Sequence, residues 1–213
     1  MVDIIFENGE IFDGSGSHKF KSDVAITSDR ISAIGNLKGI DAKQRIDITG
    51  KAIAPGFVNV HGHSDGWLLK NRNFTVQTSQ GYTTELLMTD GFSYAPVNSA
   101  TIPEWFHYLR TINGLEPEDY RGWETIPDYM RLLDRTTAQN TLAQIPYSNL
   151  RVMAAGFSAN PLTAAERASI RKGVETALSD GAAGLTTGLD YVAQCFATTD
   201  ELIDACLPLS GSK

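Results

Sequence analysis

Apolar residues in the first 55 positions fall in short runs with loose alternation, the pattern of half-buried strands. Ile4-Ile5-Phe6 and Ile11-Phe12 flank Glu7-Asn8-Gly9-Glu10. Asn8-Gly9 accepts positive φ at both central turn positions, so a hairpin is expected there. Asp23-Val24-Ala25-Ile26 and Arg30-Ile31-Ser32-Ala33-Ile34 read as a second pair, turned at Ser28-Asp29. Ile46 and Ile48 suggest a further strand that Gly50 ends. Together these predict a β-sandwich segment over residues 1–54.

After Ala54-Pro55-Gly56 the pattern changes. Phe57-Val58-Asn59-Val60 is a mostly apolar strand, residues 74–82 are loop-like or weakly helical, and Thr84-Glu85-Leu86-Leu87-Met88 is the next strand. Thr101 with Pro103 opens one helix, and Thr125-Ile126-Pro127-Asp128 opens another with an acid in its first turn. Residues 140–145 and 150–154 read as strands. The clearest helix spans 163–180: Thr163 and Glu166 form a capping box, and Ile170, Val174, Ala177 and Leu178 share one face. Gly181 stops it, Ala183-Gly184-Leu185-Thr186-Thr187 reads as a strand, and Thr198 with Glu201 caps a last helix that Pro208 ends. Strands alternating with helices make residues 55–213 an α/β region with a parallel sheet and about four βα units. A doubly wound sheet can use four; a closed eight-stranded barrel cannot.

Composition narrows the class. The 213 residues carry 18 basic and 25 acidic side chains, a net charge of −7, which argues against nucleic acid or an anionic membrane as partner. With 42% apolar residues the chain can bury a core. No apolar run nears the ~18 residues of a spanning helix. No basic segment precedes an apolar one at the N-terminus, so no signal peptide is read. Cys195 and Cys206 make no disulfide framework and lack zinc-type spacing, so buried thiols are expected. A cytoplasmic location follows as the expectation.

The sharpest chemical signal is His61-Gly62-His63, directly after the apolar strand. Side chains two apart on a strand point to one side, and two imidazoles there can grip a zinc-like ion. Asp90, at the end of the next strand, is either a third ligand or an ordinary turn Asp before Gly91. Asp65 is either an orienter of the histidines or a loop cap. His18, in a Ser/Gly-rich turn, and His107, beside Trp105, Phe106 and Tyr108, read as structural. GxSxG, GxxxxGK[ST] and GxGxxG are all missing, which leaves nucleophile-elbow hydrolases, P-loop NTPases and dinucleotide dehydrogenases without support.

Ile11-Phe12-Asp13-Gly14-Ser15-Gly16, Ile31-Ser32-Ala33-Ile34-Gly35 and the segment from Ala54-Pro55-Gly56 through His61-Gly62-His63-Ser64-Asp65 resemble the amidohydrolase superfamily. Gly81-Tyr82-Thr83-Thr84-Glu85, Gly184-Leu185-Thr186-Thr187-Gly188-Leu189-Asp190-Tyr191 and Phe196-Ala197-Thr198-Thr199-Asp200-Glu201-Leu202 narrow the resemblance to the N-acyl-D-amino-acid deacylases, or D-aminoacylases. The resemblance implies a β-sandwich attached to a zinc-bearing (β/α)8 TIM-like barrel. It also implies hydrolysis of small N-acyl-D-amino acids to the D-amino acid and a carboxylate. It makes His61 and His63 the first metal-ligand pair for one or two divalent ions, and places Asp90 where many members have a cysteine ligand. Ala193-Gln194 replace the family's usual Pro-Gly, and Tyr147 stands where relatives often have histidine.

The family draws two more histidine ligands and a catalytic aspartate from later strands, and nothing here supplies them. The resemblance puts that aspartate at a position beyond Lys213. The expectation is therefore an N-terminal portion with an incomplete barrel, no catalytic residue of its own, and a tendency to self-associate through open sheet edges. Two alternatives stay open: an amidohydrolase for cyclic amides, of hydantoinase or dihydroorotase type, and a non-catalytic degenerate chain.

Overall fold

The computed structural model describes residues 1–211; Ser212 and Lys213 lie outside the described residues. The chain divides after Gly56 into two compact units.

The first unit is built on one sheet. Strands β1 (Val2–Ile11), β2 (Phe20–Thr27), β3 (Arg30–Gly35) and β4 (Ala42–Asp47) lie in the order β3-β2-β1-β4, and β5 (Ala52–Ile53) also pairs with β1. The β2–β3 pair turns at Ser28, as its sequence suggests, with φ at 54°. The Asn8-Gly9 hairpin does not form. Instead β1 runs through it with a bulge between Phe6 and Gly9. Asn8 takes the left-handed conformation at φ 64°, and its N–H donates to Asp23 Oδ1 at 3.0 Å. Gly9 has no room for a side chain, since a Cβ there would lie 2.3 Å from Ile48 Cδ1. A dipeptide able to turn thus serves as a bulge because both halves of β1 find partners: β2 on one edge, β4 and β5 on the other. The expected sandwich is, among the described residues of this unit, a single five-stranded sheet, with Ile5, Ala25 and Leu37 at its core.

The second unit begins with β6 (Phe57–Asn59), followed by α1 (Asp65–Lys70) and α2 (Thr75–Thr78). Next come β7 (Tyr82–Leu87), α3 (Ile102–Asn113) and α4 (Ile126–Leu133). The chain continues through β8 (Asn140–Ala143), β9 (Ile145–Pro146), α5 (Tyr147–Ala155), α6 (Ala164–Ser179), β10 (Leu185–Thr186) and α7 (Thr199–Cys206). Strands β6-β7-β8 form one parallel row and β9-β10 another. Only Gln144 separates β8 from β9, so the unit has four parallel strand positions with helical returns, matching the four βα units expected. Trp105, Phe106 and Leu109 of α3, Tyr129 and Leu133 of α4, and Ile170, Val174 and Ala177 of α6 fill one core against Leu87, Ala143 and Ile145. The capping boxes at Thr125–Asp128, Thr163–Glu166 and Thr198–Glu201 all form.

Residues 150–154 are helix α5 rather than a strand. Tyr147 through Val152 are all buried, so no polar face marks the helical period, and a helix enclosed on every side reads like a buried strand. Even Arg151 is enclosed: its guanidinium donates to the carbonyls of Ser158 and Asn160 and pairs with Glu201 at 4.0 Å.

Candidate metal centre

Strand β6 stops at Asn59, so His61 and His63 stand just beyond it, in the loop that leads into α1. The loop, rather than the strand period, makes them converge. The Asn59 side-chain oxygen accepts the His61 N–H at 3.3 Å, and Thr89 Oγ1 donates to the Gly62 carbonyl at 2.8 Å. His63 stacks on Phe92, with ring centroids 5.1 Å apart and planes 6° from parallel. Its side chain is 24% exposed, against 63% for His61, so one ring is fixed and the other is open to solvent.

Asp90 follows β7 in a tight 3-10 turn, residues 89–91. It is both things its sequence allowed: a turn residue before a glycine and a carboxylate facing the histidines. Met88, Asp90 and Gly91 take φ of 66°, 54° and 76°, and this left-handed run swings the carboxylate toward the β6 loop. Asp90 Oδ2 lies 3.5 Å from His61 Nε2 and 3.3 Å from His63 Nε2. One donor atom from each of the three residues falls within 4.8 Å of the others. Two ligands ~2.1 Å from a tetrahedral ion stand roughly 3.4 Å apart, so this spacing fits a zinc-sized cation. Burial lowers the His63 pKa below its usual 6.5 against the opposing pull of Asp90, which keeps a neutral imidazole available near pH 7.

Contacts across about a hundred residues hold Asp90 in place. Tyr191 Oη donates to Asp90 Oδ2 at 3.3 Å, and Gln194 Nε2 donates to the Asp90 carbonyl at 2.6 Å. Gly91 N–H reaches Thr186 Oγ1 of β10 at 3.2 Å. Sequence reasoning missed Tyr191 and Gln194 as partners of the site. Their signal was indirect: Tyr191 closes the Gly184–Tyr191 motif, and Gln194 belongs to the Ala193-Gln194 pair that stands where the resemblance implies Pro-Gly.

Asp65 has a different role from orienting the rings. Its fully buried carboxylate accepts the Met88 N–H at 3.1 Å and the Ser93 hydroxyl at 2.5 Å, so it fixes the exit of β7. His18 and His107 are exposed and lie outside the three-residue group. Tyr147 is buried at the start of α5, and burial pushes its hydroxyl up to about 12. Cys195 and Cys206 are free and exposed, contrary to the expected buried thiols, because each lies on the solvent side of its segment while Ala193 and Ala205 face the core. The aspartate expected beyond Lys213 falls outside the described residues; the candidate ligand group among the described residues is His61, His63 and Asp90. Among the described residues no helix is long and apolar enough to cross a membrane.

No family model matches the chain. It is 35% identical over 210 residues to a D-aminoacylase of Alcaligenes xylosoxydans xylosoxydans, a match covering 98% of this chain and 42% of that protein. The crystal structure of a D-aminoacylase, described as defining a subset of amidohydrolases, superposes with a TM-score of 0.87 and 32% identity over 99% of this chain and 43% of that one. An N-acyl-D-glutamate deacylase of Bordetella bronchiseptica, solved with zinc and a phosphonate that mimics the tetrahedral intermediate, matches with a TM-score of 0.85 and 30% identity, covering 96% of this chain and 42% of that one. The chain therefore spans about two fifths of the length of the relatives it matches. Similarity along nearly its whole length bears out the resemblance to the N-acyl-D-amino-acid deacylases, which are metal-dependent amidohydrolases.

Proposed function

We propose that His61, His63 and Asp90 are ligands of a zinc ion in a hydrolase site for N-acyl-D-amino acids. The observation that carries this is the spacing of Asp90 Oδ2 from the two imidazole Nε2 atoms, 3.5 and 3.3 Å, which is the separation of neighbouring ligands on one small cation. When bound, zinc polarises the scissile carbonyl and lowers the pKa of bound water toward neutrality. The chain's own residues do the rest of the positioning. Phe92 holds the His63 ring by stacking, and the Tyr191 hydroxyl donates to the oxygen that faces both histidines. Tyr191 thereby fixes the carboxylate rotamer and draws off part of its charge.

Asp90→Asn tests the third ligand. It keeps the shape and one oxygen but loses the charge, so zinc affinity should fall about tenfold or more, read by competition with a chromogenic chelator. Wild-type affinity in this variant would return Asp90 to a turn role.

Among the described residues no further His, Cys, Asp or Glu joins the three. With all three committed as ligands, none of them is free to act as general base. The reading therefore includes that these 213 residues alone do not turn over substrate. The decisive assay is hydrolysis of N-acetyl-D- and N-acetyl-L-amino acids by the 213-residue chain with added zinc. Buffer-level rates on both are expected. A D-selective rate that His63→Ala abolishes would mean that the chain completes its own site. In any active form that contains these residues, the D enantiomer should be the faster substrate.

A further inference from the structure

We propose that Glu85 is the positioning residue of this metal centre. Its buried carboxylate ties together Asn59 and Ser64, the two ends of the loop that carries His61 and His63. The proposal rests on the metal-centre reading above.

Glu85 lies in the middle of β7, at the register position between Asn59 of β6 and Thr141 of β8, and is 1% exposed. A carboxylate buried in a sheet is costly unless its oxygens are hydrogen-bonded. Here both are satisfied, by three neutral donors. Oε1 accepts from Asn59 Nδ2 at 3.2 Å and, in a very short contact, from Ser64 Oγ. Oε2 accepts from Gln139 Nε2 at 2.7 Å. Asn59 is the last residue of β6, and its side-chain oxygen accepts the His61 N–H. Ser64 is the N-cap of α1, yet its hydroxyl caps no helix amide, because it is spent on Glu85 instead. One carboxylate oxygen thus bridges the residue before the loop and the residue after it.

The loop is also laid directly over this bond. A Cβ on Gly62 would lie 2.8 Å from Asn59 Nδ2 and 3.3 Å from Glu85 Oε1. That close approach gives a physical reason for glycine between the two histidines. Any drift of Glu85 moves the seat on which the loop rests. The side chain touches neither imidazole; it sets where they stand.

The test compares wild type, Glu85→Met, Ser64→Ala and the conservative Glu85→Gln in the 213-residue chain, each checked for folding by circular dichroism. Glu85→Met removes both acceptor oxygens and leaves Asn59, Ser64 and Gln139 without theirs. Glu85→Gln keeps an oxygen for Asn59 and Ser64, and its new amide donates to the Gln139 side-chain oxygen, unpartnered in wild type, once the Gln139 amide turns over. Two readouts are taken. The first is cobalt(II) affinity from the visible absorption band of the bound ion. The second is hydrogen exchange at residues 60–64 in the metal-free chain.

Glu85→Met and Ser64→Ala should each weaken cobalt binding about tenfold or more and speed exchange of the loop. Glu85→Gln should stay within about threefold of wild type in both. Wild-type affinity and exchange in Glu85→Met, or a loss in Glu85→Gln as large as in Glu85→Met, would overturn the proposal. If cobalt fails to bind wild type, or binds equally after His61→Ala/His63→Ala, the metal reading fails. Hydrogen exchange then still decides whether Glu85 clamps the loop.

Discussion

Replacing His61 and His63 together with alanine should lower zinc affinity by about a hundredfold or more. Losing one outer hydrogen-bond partner of a metal ligand typically costs about 10–100-fold, and losing two of three donors outright must cost more. The structure makes this a clean experiment. The His61 side chain is 63% exposed, so its removal barely touches packing. His63 surrenders one stacked contact with Phe92, a modest loss of about 1 kcal/mol. The fold should therefore survive while the site does not. Metal content after dialysis, measured by atomic emission, should fall from about one ion per chain to background. His107→Ala, an exposed change on α3 outside the donor group, is the matched control and should leave metal content unchanged. Equal content in all three proteins would place the ion elsewhere.

The largest effect on stability is expected from Asp65→Ala, about 2–4 kcal/mol. The change strands the Met88 N–H and the Ser93 hydroxyl, two buried donors that each cost roughly 1–3 kcal/mol when left without an acceptor. Asp65→Asn keeps an acceptor oxygen and should cost less. The acid also leaves a pH signature. Burial, with a smaller push from Glu85, raises its pKa from 3.8 to about 6. The folded value lies above the unfolded one, so folding favours the protonated form. The stability this group contributes is complete below pH 3.8 and is lost as pH rises through about 6. At roughly 1.4 kcal/mol per pH unit between the two values, the loss is on the order of 3 kcal/mol. His63 acts in the opposite sense, because burial lowers its pKa and it favours the fold above 6.5. Subtracting the Asp65→Asn profile from wild type cancels His63 and isolates the acid. Thermal melts of metal-free protein between pH 4 and 7.5 should show wild type losing more stability than the variant as pH rises. A difference that stays flat with pH would remove Asp65 as a buried acid.

The four βα positions, the capped helices α6 and α7 and the histidine pair were legible in the chain because their causes are local. A capping box needs only residues three apart, as at Thr163 and Glu166, and both its bonds form. The apolar stripe Ile170, Val174, Ala177 falls on the buried face because 3.6 residues make a turn. His61 and His63 were found because a strand must end near them and only Gly62 separates them.

What the tertiary structure decided is everything that depends on who pairs with whom. Asn8-Gly9 can turn a hairpin or bulge a strand, and the partners on both edges of β1 selected the bulge. Residues 147–152 are buried on every side, the polar Ser148, Asn149 and Arg151 included, so only their surroundings made them a helix. Asp90 before Gly91 reads as a turn in any sequence. Its carboxylate meets the histidines because three left-handed residues aim it, and Tyr191 and Gln194, 101 and 104 positions away, hold it there. Glu85 in a strand looks like an ordinary surface acid, and burial between Asn59, Ser64 and Gln139 makes it the loop's anchor. Local propensity falls off within a few residues along the chain, whereas a metal centre is assembled from groups brought together across it. The sequence could therefore name the candidate ligand types, but only the fold could set their distances.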